Sequence, residues 1–182
     1  MNPRIQVEHT VTEMTTGVDI VQSQILIAQG YTLDSYQINI KSQDDIQPRG
    51  YAIQCRVTTE DPINGFAPDT GTITKYTSAG GYGIRLDAGN AVANSQISPY
   101  YDSLLVKVTA WARTFSDATN KARRAIKETK VKGVKTNRAF LLNVLNHPTF
   151  KAGNCDTGFI EDNPELLNIM AKQDKELKVL TF

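Results

Sequence analysis

Three polar side chains of different chemistry stand at alternate positions near the start of the chain: the guanidinium of Arg4, the amide of Gln6 and the carboxylate of Glu8. Asn2 precedes them in the same phase, and Ile5 and Val7 fill positions between them. Alternation of period two is the signature of a strand, so residues 2–8 are expected to be extended, with the apolar pair turned to a core. At roughly 3.3 Å per residue, Arg4 and Glu8 would then lie about 13 Å apart, too far to pair directly. A small polar group would fit between them, held by the Arg fork and the Gln amide, with Glu8 as a base. The alternative is an amphipathic strand whose polar side is merely solvated.

The continuous run N-P-R-I-Q-V-E-H-T-V-T-E over residues 2–13 resembles the signature of the biotin carboxylase component of biotin-dependent carboxylases, which are ATP-grasp enzymes. Carbamoyl phosphate synthetases share its N-P-R opening but not Q-V-E-H. The resemblance implies that Arg4, Gln6 and the Val7 backbone hold bicarbonate, that Glu8 takes its proton, and that Asn2 lies beside the metal ions bridging the ATP phosphates. The family's metal-binding glutamate would stand just before Met1. The chain opens inside the motif, so a truncated piece of a longer enzyme is expected, without bicarbonate-dependent ATPase activity of its own.

Two further stretches carry the same resemblance. In residues 50–58, Tyr51, Ile53, Cys55 and Val57 share one face of an alternating strand and Ala52, Gln54, Arg56 and Thr58 the other. From spacing alone Arg56 is a solvated arginine. In the family that Ile53-Gln54-Cys55-Arg56-Val57 and Glu60-Asp61-Pro62 resemble, the matching arginine stabilises the enolate oxygen developing on the ureido group of biotin, a fixed cation aimed at developing charge. The run Ser98-Pro99-Tyr100-Tyr101-Asp102-Ser103 is similar to a second family string, in which Asp102 would support the site. The family match also places Tyr82 and Arg85 at a homodimer interface, and both types are enriched in interface hot spots.

The elements that must position these residues follow in order. Thr10-Val11-Thr12-Glu13 has the spacing of a capping box. Val18, Val21, Ile25 and Ala28 continue at helical spacing, and Gly30 suits a helix end. Residues 41–48 read as a surface loop with a boundary near Pro48. Residues 66–71 form a turn, and residues 72–76 a short strand. Gly80, Gly81 and Gly83 match no phosphate-binding spacing and no helical pattern follows, so a turn between strands is expected there. Residues 104–110 are a strand poor in charge, and Trp111 packs.

Residues 115–133 are expected as one helix, capped by Ser116, striped by Ala118, Ala122, Ala125 and Ile126, and ended by Gly133. Its Lys121, Arg123, Arg124, Lys127, Lys130 and Lys132 have no aromatic platform for nucleic acid and read as a solvated face. A helix from Thr136 carries Phe140, Leu141, Val144 and Leu145 and stops at Pro148. Residues 157–161 are expected as a short edge element. The tail, with Asp174, Lys178 and Leu180, resembles the exit from the biotin carboxylase domain in pyruvate carboxylases rather than in acetyl-CoA carboxylases.

The whole chain of 182 residues carries a net charge of +1, which gives no global field toward nucleic acid or membrane. Cys55 and Cys155 are far apart and form no C-x-x-C, the usage of a reduced, cytoplasmic protein. His9 alone makes no metal site. The expected fold is α+β, the C-terminal part of an ATP-grasp biotin carboxylase, with an antiparallel sheet and packed helices. Residues 1–48 would end the ATP-grasp region, 49–160 form the biotin carboxylase C-terminal domain, and 161–182 an exit linker. The resemblance implies ATP, Mg or Mn, and biotin on a carrier domain outside this chain. It also implies bicarbonate as substrate, the rest of the same polypeptide as partner, and a homo-oligomer. The alternatives are the biotin carboxylase of an acyl-CoA carboxylase and, for the isolated chain, a non-catalytic dimerisation module.

Overall fold

The structure is a computed structural model, and it describes residues 1–89 and 91–169. The tail residues Asp174, Lys178 and Leu180 lie outside the described residues. The elements, in order, are α1 (His9–Thr16), α2 (Ile20–Ala28), β1 (Tyr51–Thr58), β2 (Glu60–Asp61), β3 (Ala67–Pro68), β4 (Gly71–Thr72) and β5 (Lys75–Thr77). There follow β6 (Ile84–Ala88), β7 (Gln96–Ile97), β8 (Leu104–Ala112), α3 (Phe115–Glu128), β9 (Lys130–Lys132), α4 (Arg138–Asn146), α5 (Pro148–Lys151) and α6 (Phe159–Asp162). This is the expected α+β architecture.

A three-stranded antiparallel sheet in the order β1-β8-β6 is the frame. Residues directly opposite in such a ladder share a face, so the register sorts the side chains. Ile53, Ala110 and Ile84 form one row, Cys55, Val108 and Leu86 the next, and Val57, Val106 and Ala88 the third. These apolar rows meet α3, whose Ala118, Ala122, Ala125 and Ile126 are fully buried. Alanine at three of those positions brings the helix close to the sheet, so burial and dispersion hold the two layers. The intervening rows are polar: Gln54, Thr109 and Arg85, then Arg56, Lys107 and Asp87. Across that face lies α1.

The turn into β6 depends on Gly83. Its φ is 81°, and its carbonyl accepts the Trp111 N–H at 2.7 Å. A Cβ there would run into the Trp111 backbone, so only glycine lets β6 close onto the end of β8. The expected turn between strands is therefore present.

Several local expectations are corrected. Residues 2–8 are not a strand: the chain bends at Arg4, turns at Val7 and Glu8, and leaves Ile5 exposed. No described strand pairs with residues 2–8; alternation alone does not hold an extended segment, and the 13 Å spacing of a straight strand does not apply. The expected capping box is absent. Glu8, not Thr10, is the N-cap residue of α1, and Thr10 and Glu13 are buried within the helix. The expected single helix is two, broken at Gly17 with φ 75°, and α2 fully buries none of its residues, Ile20 and Leu26 being half-buried.

The strand expected over residues 72–76 is split into β4 and β5, which pair with β7 and β9. Helix α3 is capped by Thr114 rather than Ser116, and it ends at Glu128 because residues 130–132 pair with β5. Pro148 does not only stop α4; it opens α5, where its missing N–H costs nothing. The expected edge element is the short helix α6.

Candidate active site on the polar face of the sheet

The N-terminal motif reaches the sheet through α1. Gln54 Nε2 donates to the Val7 carbonyl at 2.9 Å and to Thr10 Oγ1 at 2.6 Å. Thr10 Oγ1 also bonds Thr109 Oγ1 at 2.7 Å, both hydroxyls being fully buried. His9 Nε2 lies 3.2 Å from Lys107 Nζ. These contacts lay the turn carrying Val7 and Glu8 over the strand that carries Arg56.

Glu13 is the deepest charge on this face. Its carboxylate accepts Arg85 Nη1 at 2.6 Å and the Ile20 N–H at 2.8 Å, and lies 3.0 Å from His9 Nδ1. Burial pushes the carboxyl up, but the hydrogen bonds from Arg85 and Ile20, with the charges of Arg85 and His9, outweigh it. The net shift is below the ordinary value of 4.5. Arg85 also forks onto Asp87 at 2.8 and 2.9 Å. The hydrogen bond to Asp87, ahead of that to Glu13, holds its guanidinium protonated beyond the usual range.

The structure brings Glu8 and Arg56 together: Arg56 Nη2 stands 3.8 Å from Glu8 Oε2, with both side chains about half exposed (54% and 51%). Gln6 lies in the same turn. Arg4 is exposed and folds back onto the Ile5 carbonyl at 3.1 Å rather than toward Glu8. Asn2 is exposed and its carbonyl accepts the Arg4 N–H at 2.8 Å. Asp102 accepts the Leu104 N–H at 2.9 Å and so turns its loop into β8. Glu60 ties that loop to β1, accepting Ser103 Oγ at 2.7 Å and Thr58 Oγ1 at 2.9 Å.

Tyr82 and Arg85 part company. Tyr82 is exposed, edge-on to Trp111 with ring centroids 6.1 Å apart and Lys121 Nζ 5.0 Å from its own. Arg85 is turned inward to Glu13 and Asp87. On α3, Lys121 donates to the Trp111 carbonyl, Arg123 to Asn146 and Arg124 to Glu128, so half of the basic run is engaged within the chain. Cys55 is buried, which pushes its thiol up to about 12, and Cys155 is also shifted upward. Both are free thiols, and neither has thiolate character.

Sequence reasoning missed Gln54, Thr10, Thr109, Glu13 and Lys107 as parts of the site. The signal was present for Gln54 and Arg56 in the alternation of β1. The pairing of β1 with β8 that adds Lys107 and Thr109 is long-range and leaves no local mark.

Among the described residues no group of three or more His, Cys, Asp or Glu side chains gathers as a metal site. Asn2 offers one neutral amide oxygen, whereas Mg or Mn is held through carboxylates. The described residues therefore do not make a metal site by themselves. No helix among the described residues is long and apolar enough to cross a membrane.

Comparison with known proteins decides the family. The family model for the biotin carboxylase C-terminal domain matches residues 54–162. The chain belongs to the biotin carboxylase C-terminal domain family. Residues 1–36 match the ATP-binding domain of the carbamoyl-phosphate synthase L chain. The chain is 56% identical over all its residues to pyruvate carboxylase of Bacillus subtilis and 53% identical to pyruvate carboxylase 1 of Caenorhabditis elegans. It spans only 16% and 15% of the length of those relatives. The complete multifunctional pyruvate carboxylase of Rhizobium etli superposes with a TM-score of 0.88 at 49% identity, over 99% of this chain and 18% of that one. The biotin carboxylase domain dimer of Hydrogenobacter thermophilus 2-oxoglutarate carboxylase, solved with MgADP, ADP and bicarbonate, gives 0.86 at 44% identity. That match covers 92% of this chain and 35% of that one.

Proposed function

We propose that this chain is the C-terminal part of the biotin carboxylase of a pyruvate carboxylase, working as one segment of a longer cytoplasmic enzyme. The observation that carries the reading is the Glu8–Arg56 pair, which sets a carboxylate base beside a fixed cation at the edge of the polar face. Residues 1–48 end the ATP-grasp region, residues 49–160 form the C-terminal domain and residues 161–182 lead out of it. The two family matches, which leave residues 37–53 between them, support that division.

Bicarbonate is the substrate held by Arg4, Gln6 and the Val7 backbone. Its proton passes to Glu8, leaving an oxygen free to take a phosphoryl group. ATP with Mg would supply that phosphoryl group; the carboxyphosphate so formed would break its C–O bond to give carbon dioxide and phosphate, and biotin on a carrier outside this chain would take up the carbon dioxide at a ureido nitrogen whose proton passes to the phosphate. With biotin bound there, Arg56 would stabilise negative charge on its ureido oxygen. Asp102 shapes the loop beside the site, and Asn2 would offer one oxygen toward a metal held mainly by residues outside this chain. Pyruvate is then carboxylated elsewhere in the longer enzyme. The identities to pyruvate carboxylases favour this acceptor over an acyl-CoA.

The test is made in the full-length enzyme with Glu8→Gln and Arg56→Gln. Glutamine keeps the size of Glu8 but is no base, so bicarbonate-dependent ATP cleavage should be abolished with and without biotin. Arg56→Gln should slow biotin carboxylation by ~100-fold or more, the scale for one charge-stabilising donor, and spare more of the biotin-independent ATP cleavage. Equal loss of both activities in both variants contradicts the division of roles. The isolated chain should show no bicarbonate-dependent ATPase; steady turnover there would show that it needs no other segment.

A further inference from the structure

We infer that Asn137 is a positioning residue for Arg56: it fixes the β1 backbone from which the Arg56 guanidinium reaches the Glu8 carboxylate. The inference rests on the role proposed above for Arg56.

Strand β1 is an edge of its sheet, so at Arg56 and Thr58 the outward backbone groups have no ladder partner among the described strands. Asn137, at the N-cap position of α4 and only 7% exposed, takes that place. Its N–H donates to the Thr58 carbonyl at 3.2 Å. Its Oδ1 accepts the Thr58 N–H at 3.0 Å. Its Nδ2 donates to the Arg56 carbonyl at 2.9 Å. A side-chain amide carries both a donor and an acceptor, and so stands in for a neighbouring strand where a carboxylate or hydroxyl of similar size would serve only in part.

The location matters because the ladder slips there. Val57 faces Val106, but Thr58 faces Leu104, and such an irregularity re-aims the side chains beside it. The Arg56 side chain is half exposed and its contact with Glu8 is 3.8 Å, so burial does not hold its direction; the backbone does. Asn137 is itself anchored. The next residue, Arg138, donates to the Ile126 carbonyl at 3.0 and 3.2 Å and to the Lys127 carbonyl at 3.3 Å, locking the start of α4 to the end of α3. The apolar layer thereby sets the aim of a polar residue on the opposite face.

The experiment uses the full-length enzyme with Asn137→Asp, Asn137→Ser and Arg56→Gln side by side. Asn137→Asp keeps the acceptor for Thr58 but sets an oxygen against the Arg56 carbonyl. Asn137→Ser loses both side-chain bonds and adds no charge. Bicarbonate-dependent ATP cleavage without biotin, carboxylation of free biotin and the melting temperature are measured for each. Both Asn137 variants should reproduce the split of Arg56→Gln. Biotin carboxylation should fall ~10-fold or more, with ATP cleavage held within about two-fold, because misplacement alone weakens the later step.

Parallel loss of both activities, no loss of either, or failure of both variants to fold would each leave Asn137 a purely structural residue and overturn the inference. If only Asn137→Asp fails to fold, Asn137→Ser decides. If Arg56→Gln itself shows no split, the role of Arg56 falls and this inference with it. If Arg56→Gln splits the activities and the Asn137 variants do not, this inference alone falls.

Discussion

The two faces of the β1-β8-β6 sheet are built from the same three strands by opposite physics. On one face, rows of Ile, Val, Leu, Ala and Cys meet the alanine stripe of α3. The interactions are non-directional and summed over many contacts, so any side chain of the right volume serves. On the other face, Gln54, Thr109, Arg85, Arg56, Lys107 and Asp87 meet Thr10, His9, Glu13 and Glu8. There each polar group needs a named partner at a set distance, because an unmatched buried donor or acceptor costs more than a matched one contributes. The apolar face makes the sheet stable. The polar face uses that rigidity to hold the Glu8 carboxylate and the Arg56 guanidinium a few ångströms apart.

The largest effect that should separate the faces is Ile126→Ala, which empties volume from the fully buried α3 contact. It should cost about 3 kcal/mol in urea denaturation, within the usual range for such truncations. Because no charge is involved, the loss should not vary with pH. A loss below about 1 kcal/mol would show that the apolar layer collapses to fill the space.

Glu13→Gln on the polar face should cost less, about 1–2 kcal/mol, because Arg85 keeps Asp87 as a partner. This loss should depend on pH. The folded-state pKa of Glu13 is depressed, so its contribution is present above the unfolded value of about 4.5 and fades as pH falls through the lower folded value. The difference between wild type and Glu13→Gln should therefore shrink as pH falls below the unfolded value of about 4.5 and on through the lower folded value, while that of Ile126→Ala stays level. A pH-independent Glu13 loss would mean that the carboxylate acts by packing alone.

Tyr82 and Arg85 divide along the same line. With Tyr82 exposed and Arg85 engaged inside the chain, Tyr82→Ala should shift a dimer toward monomer by up to ~2 kcal/mol, the scale of a hot spot, and cost little fold stability because its contacts with Trp111 and Lys121 lie at the surface. Arg85→Ala should lower the stability of the chain as well. Sedimentation and melting of the two variants check this, and identical behaviour would erase the distinction. The smallest effect belongs to Arg124→Ala. Its pair with Glu128 is exposed, so the change should stay within about 0.5 kcal/mol.

Much of this molecule was legible locally. The alternation of residues 50–58 put Cys55 and Val57 inward and Arg56 outward, as found, because period two sorts side chains once a strand is paired. The α3 stripe was legible for the same kind of reason. The alternation of residues 2–8 misled, since an identical pattern without a neighbouring strand has nothing to extend it. Thr10 and Glu13 read as a cap because their spacing suits one, yet both turn to the sheet, where Thr109, Gln54 and Arg85 offer buried partners.

The sequence by itself determined the family, through the contiguous motif and the strings around Arg56 and Asp102, and it determined which strand residues are apolar and which polar. Only the tertiary structure decided that Glu8 and Arg56 are neighbours, that Arg85 turns inward, and that Asn137 completes the edge of β1. Those outcomes depend on pairing between segments tens of residues apart. Strand register and the laying of α1 across the polar rows set that pairing, and no local spacing encodes it.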